Sequence, residues 1–60
     1  MRTTSKIIAK GKNGKVTRTE YTKIFTGDYW YTVYNKAGEF VKRISPREID
    51  ELNKAIAALN

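Results

Sequence analysis

The chain has 60 residues with a net charge of +6 and a pI near 9.8, enough for one small domain (1–60) that is marginal without further support. It contains no Cys and no His, which excludes a disulfide framework, a thiolate metal site and any histidine-based catalytic triad; no cofactor is implied. There is no run of about 18 apolar residues to span a membrane, and MRTTSKIIAK lacks a signal-peptide core, so a cytoplasmic protein that avoids membranes is the expectation.

Charge is distributed unevenly. Residues 1–19 carry Arg2, Lys6, Lys10, Lys12, Lys15 and Arg18 with no acid, whereas the remainder is close to neutral. A first strand is predicted over about 4–10. Lys12-Asn13-Gly14-Lys15 follows it and contains Asn-Gly, the dipeptide favoured in two-residue type I′ hairpins. A second strand is predicted over about 16–25, a tight turn at Thr26-Gly27-Asp28, and a third strand over about 29–34. Asn35-Lys36-Ala37-Gly38 reads as a type I turn closed by a Gly bulge, leading into a fourth strand over about 39–44.

The C-terminal segment reads as a helix over about 46–59. Ser45-Pro46-Arg47-Glu48 supplies a capping box with proline at the first helical position. Ile44 and Ile49 stand where a hydrophobic staple would join strand to helix, and Ile49, Leu52, Ile56 and Leu59 make one apolar stripe. Connections this short require an antiparallel meander, so the predicted fold is α+β: four strands in ββββα order with the helix packed on one face.

Five aromatic rings fall within Thr26 to Arg43, in alternation. A strand turns alternate side chains to opposite faces, so half of them must leave the core. With a regular turn at Asn35–Gly38, Tyr34 pairs with Phe40 and Trp30 with Ile44. That register places Trp30, Tyr34, Phe40 and Ile44 under the helix, and Tyr29, Tyr31, Val33, Val41 and Arg43 on the uncovered face. In the preceding hairpin, a two-residue loop at Thr26-Gly27 and a three-residue loop at Thr26–Asp28 put Phe25 and Ile24 on opposite faces, and a slip of one residue there would exchange the two sets.

Tyrosines beside Arg and Lys on a sheet suit nucleic acid: cations release counterions from phosphates, and rings stack on bases. The expected function is therefore a small basic nucleic-acid-binding domain, with DNA favoured over RNA. Lys10, Lys12, Lys15 and Arg18 are the candidate phosphate contacts, and Tyr29, Tyr31 and Arg43 the candidate contacts on the sheet face. GDYWYTVYNKAGEFVKR followed by SPREIDELNKAIAAL resembles, over about residues 27–59, the hairpin and supporting helix of integrase N-terminal arm-type domains and plant ethylene-response factors. That resemblance implies a sheet laid in the DNA major groove. The order of elements is also similar to that of small archaeal chromatin proteins, which implies a Trp on the binding face.

The competing expectation is a protein–protein interaction module, such as a phage-type inhibitor or an obligate homodimer. A Tyr- and Arg-bearing face suits a protein interface, and the outer strands could accept another strand. An enzyme is not expected. The six acids are scattered, and Glu48, Asp50 and Glu51 are accounted for by the start of the helix.

Overall fold

The computed structural model of the chain describes residues 2–23 and 27–60. Among these, four strands, β1 (Arg2–Gly11), β2 (Gly14–Thr22), β3 (Gly27–Asn35) and β4 (Phe40–Ile44), form one antiparallel sheet in the order β1-β2-β3-β4. One helix, α1 (Ile49–Ala57), follows. The predicted ββββα architecture is the one observed. β1 and β3 extend further than expected at both ends. The predicted strand end at Ile24 and Phe25, and the Thr26 side of the second turn, lie outside the described residues.

The core is a single layer between the helix and one sheet face, comprising Val16, Tyr31, Val33, Ile44, Leu52, Ala55 and Leu59. Val16 and Ile44 are the most completely enclosed, at 0% and 1% exposure. A nine-residue helix is about 13 Å long and a ten-residue strand about 33 Å, so the helix covers only one end of the sheet. The molecule is correspondingly elongated, 38 × 23 × 15 Å.

The first turn differs from expectation. The first hairpin pairs Gly11 with Gly14 and leaves Lys12-Asn13 as its loop, so the turn is not centred on Asn13-Gly14. The positive φ, 140°, falls on Gly14. Both flanking glycines are required sterically: a Cβ on Gly11 would collide with the Leu59 carbonyl oxygen, and one on Gly14 with that of Tyr34. In this arrangement Asn13 caps the end of the helix. Its backbone N–H donates to the Leu59 carbonyl at 3.0 Å and its Nδ2 to that of Ala58 at 3.3 Å.

The helix begins at Ile49, three residues later than its capping box predicts. Ser45 does form a cap-like contact, accepting from the Arg47 N–H at 3.2 Å through its Oγ. However, the Glu48 N–H bonds to the Ser45 carbonyl, and Glu48 has φ −97° and ψ 59°, which interrupts the helix there. Ser45–Glu48 is therefore a separate turn. Ile49, now the first helical residue, is 51% exposed and does not join the core, which corrects the predicted staple. Asp50 and Glu51 occupy the first helical turn, where acids complement the helix dipole, and Glu51 pairs with Lys42 of β4 at 3.3 Å.

The largest correction concerns β3 and β4. Tyr34 pairs with Phe40 as expected, but Val33 pairs with Lys42, so Val41 is an extra residue in the ladder. Beyond this bulge Tyr31 pairs with Ile44 and Thr32 with Arg43. Ile44 does face the helix, but the bulge transfers it from the row of Trp30 to the row of Tyr31. The covered face therefore carries Tyr29, Tyr31 and Val33, and the open face carries Trp30, Thr32 and Tyr34. Tyr31 is 8% exposed and Val33 likewise, which overturns the expectation that they lie on the uncovered face.

Candidate functional site

Registers across the sheet define rows of side chains on the face that no described element covers. Nearest the Lys12-Asn13 tip, Lys10, Lys15, Tyr34 and Phe40 lie side by side. Ile7, Thr17, Thr32 and Arg43 form the next row, and Ser5, Thr19 and Trp30 the one after. Thr3, Tyr21 and Asp28 form a fourth, farther from the tip. Three threonines make the floor. Thr17, Thr19 and Thr32 are buried although no described element packs over them. Thr19 Oγ1 and Ser5 Oγ are hydrogen-bonded at 2.8 Å.

Cations cap the rings that rise from this floor. The Arg43 guanidinium lies 4.8 Å from the centroid of Trp30, and Lys15 Nζ lies 5.2 Å from that of Tyr34. Phe40, paired laterally with Tyr34, is 62% exposed. Trp30 and Tyr34 stand four residues apart on one strand, about 13 Å. The face thus presents two separated ring platforms, each beside a cation, with hydroxyl-bearing side chains between them.

The predicted site residues are divided between the two faces. Lys10, Lys15 and Arg43 lie on the open face, and Lys12 on the hairpin tip. Arg18, Tyr29 and Tyr31 lie on the helix-covered face. There the Arg18 guanidinium stacks on Tyr29 at 4.1 Å, and its Nε, shielded from solvent, lies 3.0 Å from a Glu20 carboxylate oxygen. Tyr29 and Tyr31 meet edge to face, with centroids 6.0 Å apart. This group covers the part of the face beyond the helix, and its residues have a packing role.

Trp30, Tyr34 and Phe40 are the rings that sequence reasoning assigned to the core and the structure places on the open face, Trp30 and Tyr34 half-buried and Phe40 exposed. One signal could have located them: Thr17, Thr19 and Thr32 concentrate on one face, while Val16 and Val33 concentrate on the other. Among the described residues, no three His, Cys, Asp or Glu side chains come together as a metal site, and no helix is long and apolar enough to cross a membrane. No family model, curated protein or solved structure matches this chain. The likeness to the sheet-plus-helix DNA-binding domains therefore rests on the order of elements alone.

Proposed function

We propose that the open face of the sheet binds nucleic acid, DNA in preference to RNA, through the rings of Trp30, Tyr34 and Phe40 and the cations Lys10, Lys15 and Arg43, with Lys12 reaching from the tip. The observation that carries this reading is their shared face. In the paired rows of that face, among the described residues, the one carboxylate is Asp28, in the row farthest from the tip. Aromatic surface supplies sequence-tolerant stacking of about 1–3 kcal/mol per base, and the cations supply counterion release.

Trp30 is the sole tryptophan of the chain, so intrinsic fluorescence reports on the proposed site directly. Titration with short single-stranded and duplex DNA should quench or shift that emission, and the response should weaken as salt rises. An unchanged spectrum at low salt with both forms of DNA, together with unchanged amide NMR shifts on the open face, would overturn the assignment.

A second reading is supported by two features. Phe40 and Val41, adjacent in sequence, are 62% and 52% exposed, and the ten-residue β1 has an edge that pairs with no other described strand. Both features suit a protein partner or a homodimer. Sedimentation at two concentrations tests the homodimer: a dimer mass, with Phe40 resonances broadened on association, would favour this reading.

A further inference from the structure

Where the two hairpin ends of the sheet meet, the surface dips into a depression of about 220 Å³. Lys10, Lys12 and Lys15 from the first hairpin and Lys36 from the β3–β4 turn line it, with Gly11, Gly14 and Gly38 keeping its walls low. No acidic residue contributes to its lining. Lys10 and Lys15 are direct cross-strand partners, a pairing of like charges that destabilises a sheet. A small domain with little stability to spare thus holds four cations around one hollow.

Size and charge narrow the ligand. Pockets that enclose a whole small molecule run to roughly 300–1,000 Å³, so this one fits a single compact group. An internal phosphodiester brings one negative charge, whereas a terminal phosphate monoester brings about −1.5 to −2 and three acceptor oxygens. Four lysines line the hollow with no acid among the lining residues. Among the described residues, the one carboxylate bonded to that lining is Glu39, which accepts from Asn35 Nδ2 at 3.3 Å, so the net positive charge matches the larger anion. The depression also adjoins the Tyr34–Phe40 pair, so a phosphate held in it would sit beside a ring platform on the open face.

We infer that this four-lysine hollow seats the terminal phosphate of a nucleic-acid strand, anchoring the strand's end while its first bases lie over Tyr34 and Phe40. The inference rests on the nucleic-acid reading of the open face and adds Lys36, from a different hairpin, to the residues that hold phosphate.

Three single-stranded oligonucleotides of one sequence and about ten nucleotides, bearing a 5′-phosphate, a 3′-phosphate or only hydroxyl ends, separate the two claims. One phosphorylated form should bind at least about tenfold more tightly than the hydroxyl form, the size of a charge-assisted hydrogen bond. Lys36→Gln, in an exposed turn, should remove that advantage, so that the phosphorylated forms bind no more tightly than the hydroxyl form. Equal binding of all three oligonucleotides overturns the terminal-phosphate seat and leaves the nucleic-acid reading intact. So does a Lys36→Gln variant that weakens all three alike. Failure of all three to bind at low salt overturns the terminal-phosphate seat, and the nucleic-acid reading with it when duplex DNA fails to bind as well.

Discussion

The guanidinium of Arg43 lies 4.8 Å over the ring of Trp30, on the face opposite the helix, and a bulge at Val41 brings the two there together. Without that extra residue Arg43 would stand on the face of Tyr31. If Trp30 is a stacking platform, Trp30→Ala should weaken binding to short single-stranded DNA by about 1–3 kcal/mol, roughly 5- to 150-fold. Isothermal titration and circular dichroism on the same samples should show this loss with the helical signal retained.

Tyr31, one residue further along β3, should behave in the opposite way. It sits in the core opposite Ile44, so Tyr31→Ala removes a buried aromatic ring at a cost of about 3–5 kcal/mol. A domain of this length has on the order of 3–9 kcal/mol in total. Urea denaturation should therefore find the variant largely unfolded or close to it. A native midpoint would show that the ring does not support the core.

Arg18 and Arg43 provide a paired test of which cations meet phosphate. Arg43→Gln should flatten the log–log dependence of affinity on salt by about 0.9 on duplex DNA, or about 0.7 on a single strand. Arg18→Gln should leave that slope unchanged, because its guanidinium stacks on Tyr29 beside Glu20 on the other face. Affinities measured across a salt series would separate the two.

Asn13 links the first hairpin to the helix end, so its effect should appear in stability. Asn13→Ala loses the Nδ2 bond to the Ala58 carbonyl and should cost about 0.5–1.5 kcal/mol, a fall in Tm of several degrees for so small a domain. Gly11→Ala should be worse, since its methyl group displaces the Leu59 backbone. Thermal melts followed at the helical band would rank wild type above Asn13→Ala above Gly11→Ala.

Lys10 predicts a trade of stability against binding. Relieving its cross-strand repulsion with Lys15, Lys10→Gln should stabilise the fold by about 0.2–1 kcal/mol while weakening DNA affinity. Chemical denaturation and DNA titration should move in opposite directions. Loss of stability in this variant would show that Lys10 contributes to packing and not to charge crowding.

The order of elements was legible because each signal for it is local. The Asn35–Gly38 turn, the threonine- and aromatic-rich runs and the apolar residues Leu52 and Leu59 each act within a few residues of chain. The same locality explains what misled. Ser45-Pro46-Arg47-Glu48 contains a well-formed capping pattern, and Ser45 makes its contact with the Arg47 N–H, yet the helix starts at Ile49 because the break at Glu48 lies between them.

Composition and charge alone determined that the chain is small and basic, without Cys or His; turn chemistry determined its meander, and the spacing of Leu52 and Leu59 its C-terminal helix. Tertiary structure decided which side of the sheet the helix covers, and with it which aromatic residues are accessible. A strand's alternation has period two, so a single bulged residue, Val41, moves Ile44 from Trp30 to Tyr31 and exchanges the faces of everything beyond it. Tertiary structure also brought Lys36 to the first hairpin's lysines and Asn13 to the helix end. Such juxtapositions join residues distant in the chain, and no local propensity encodes them.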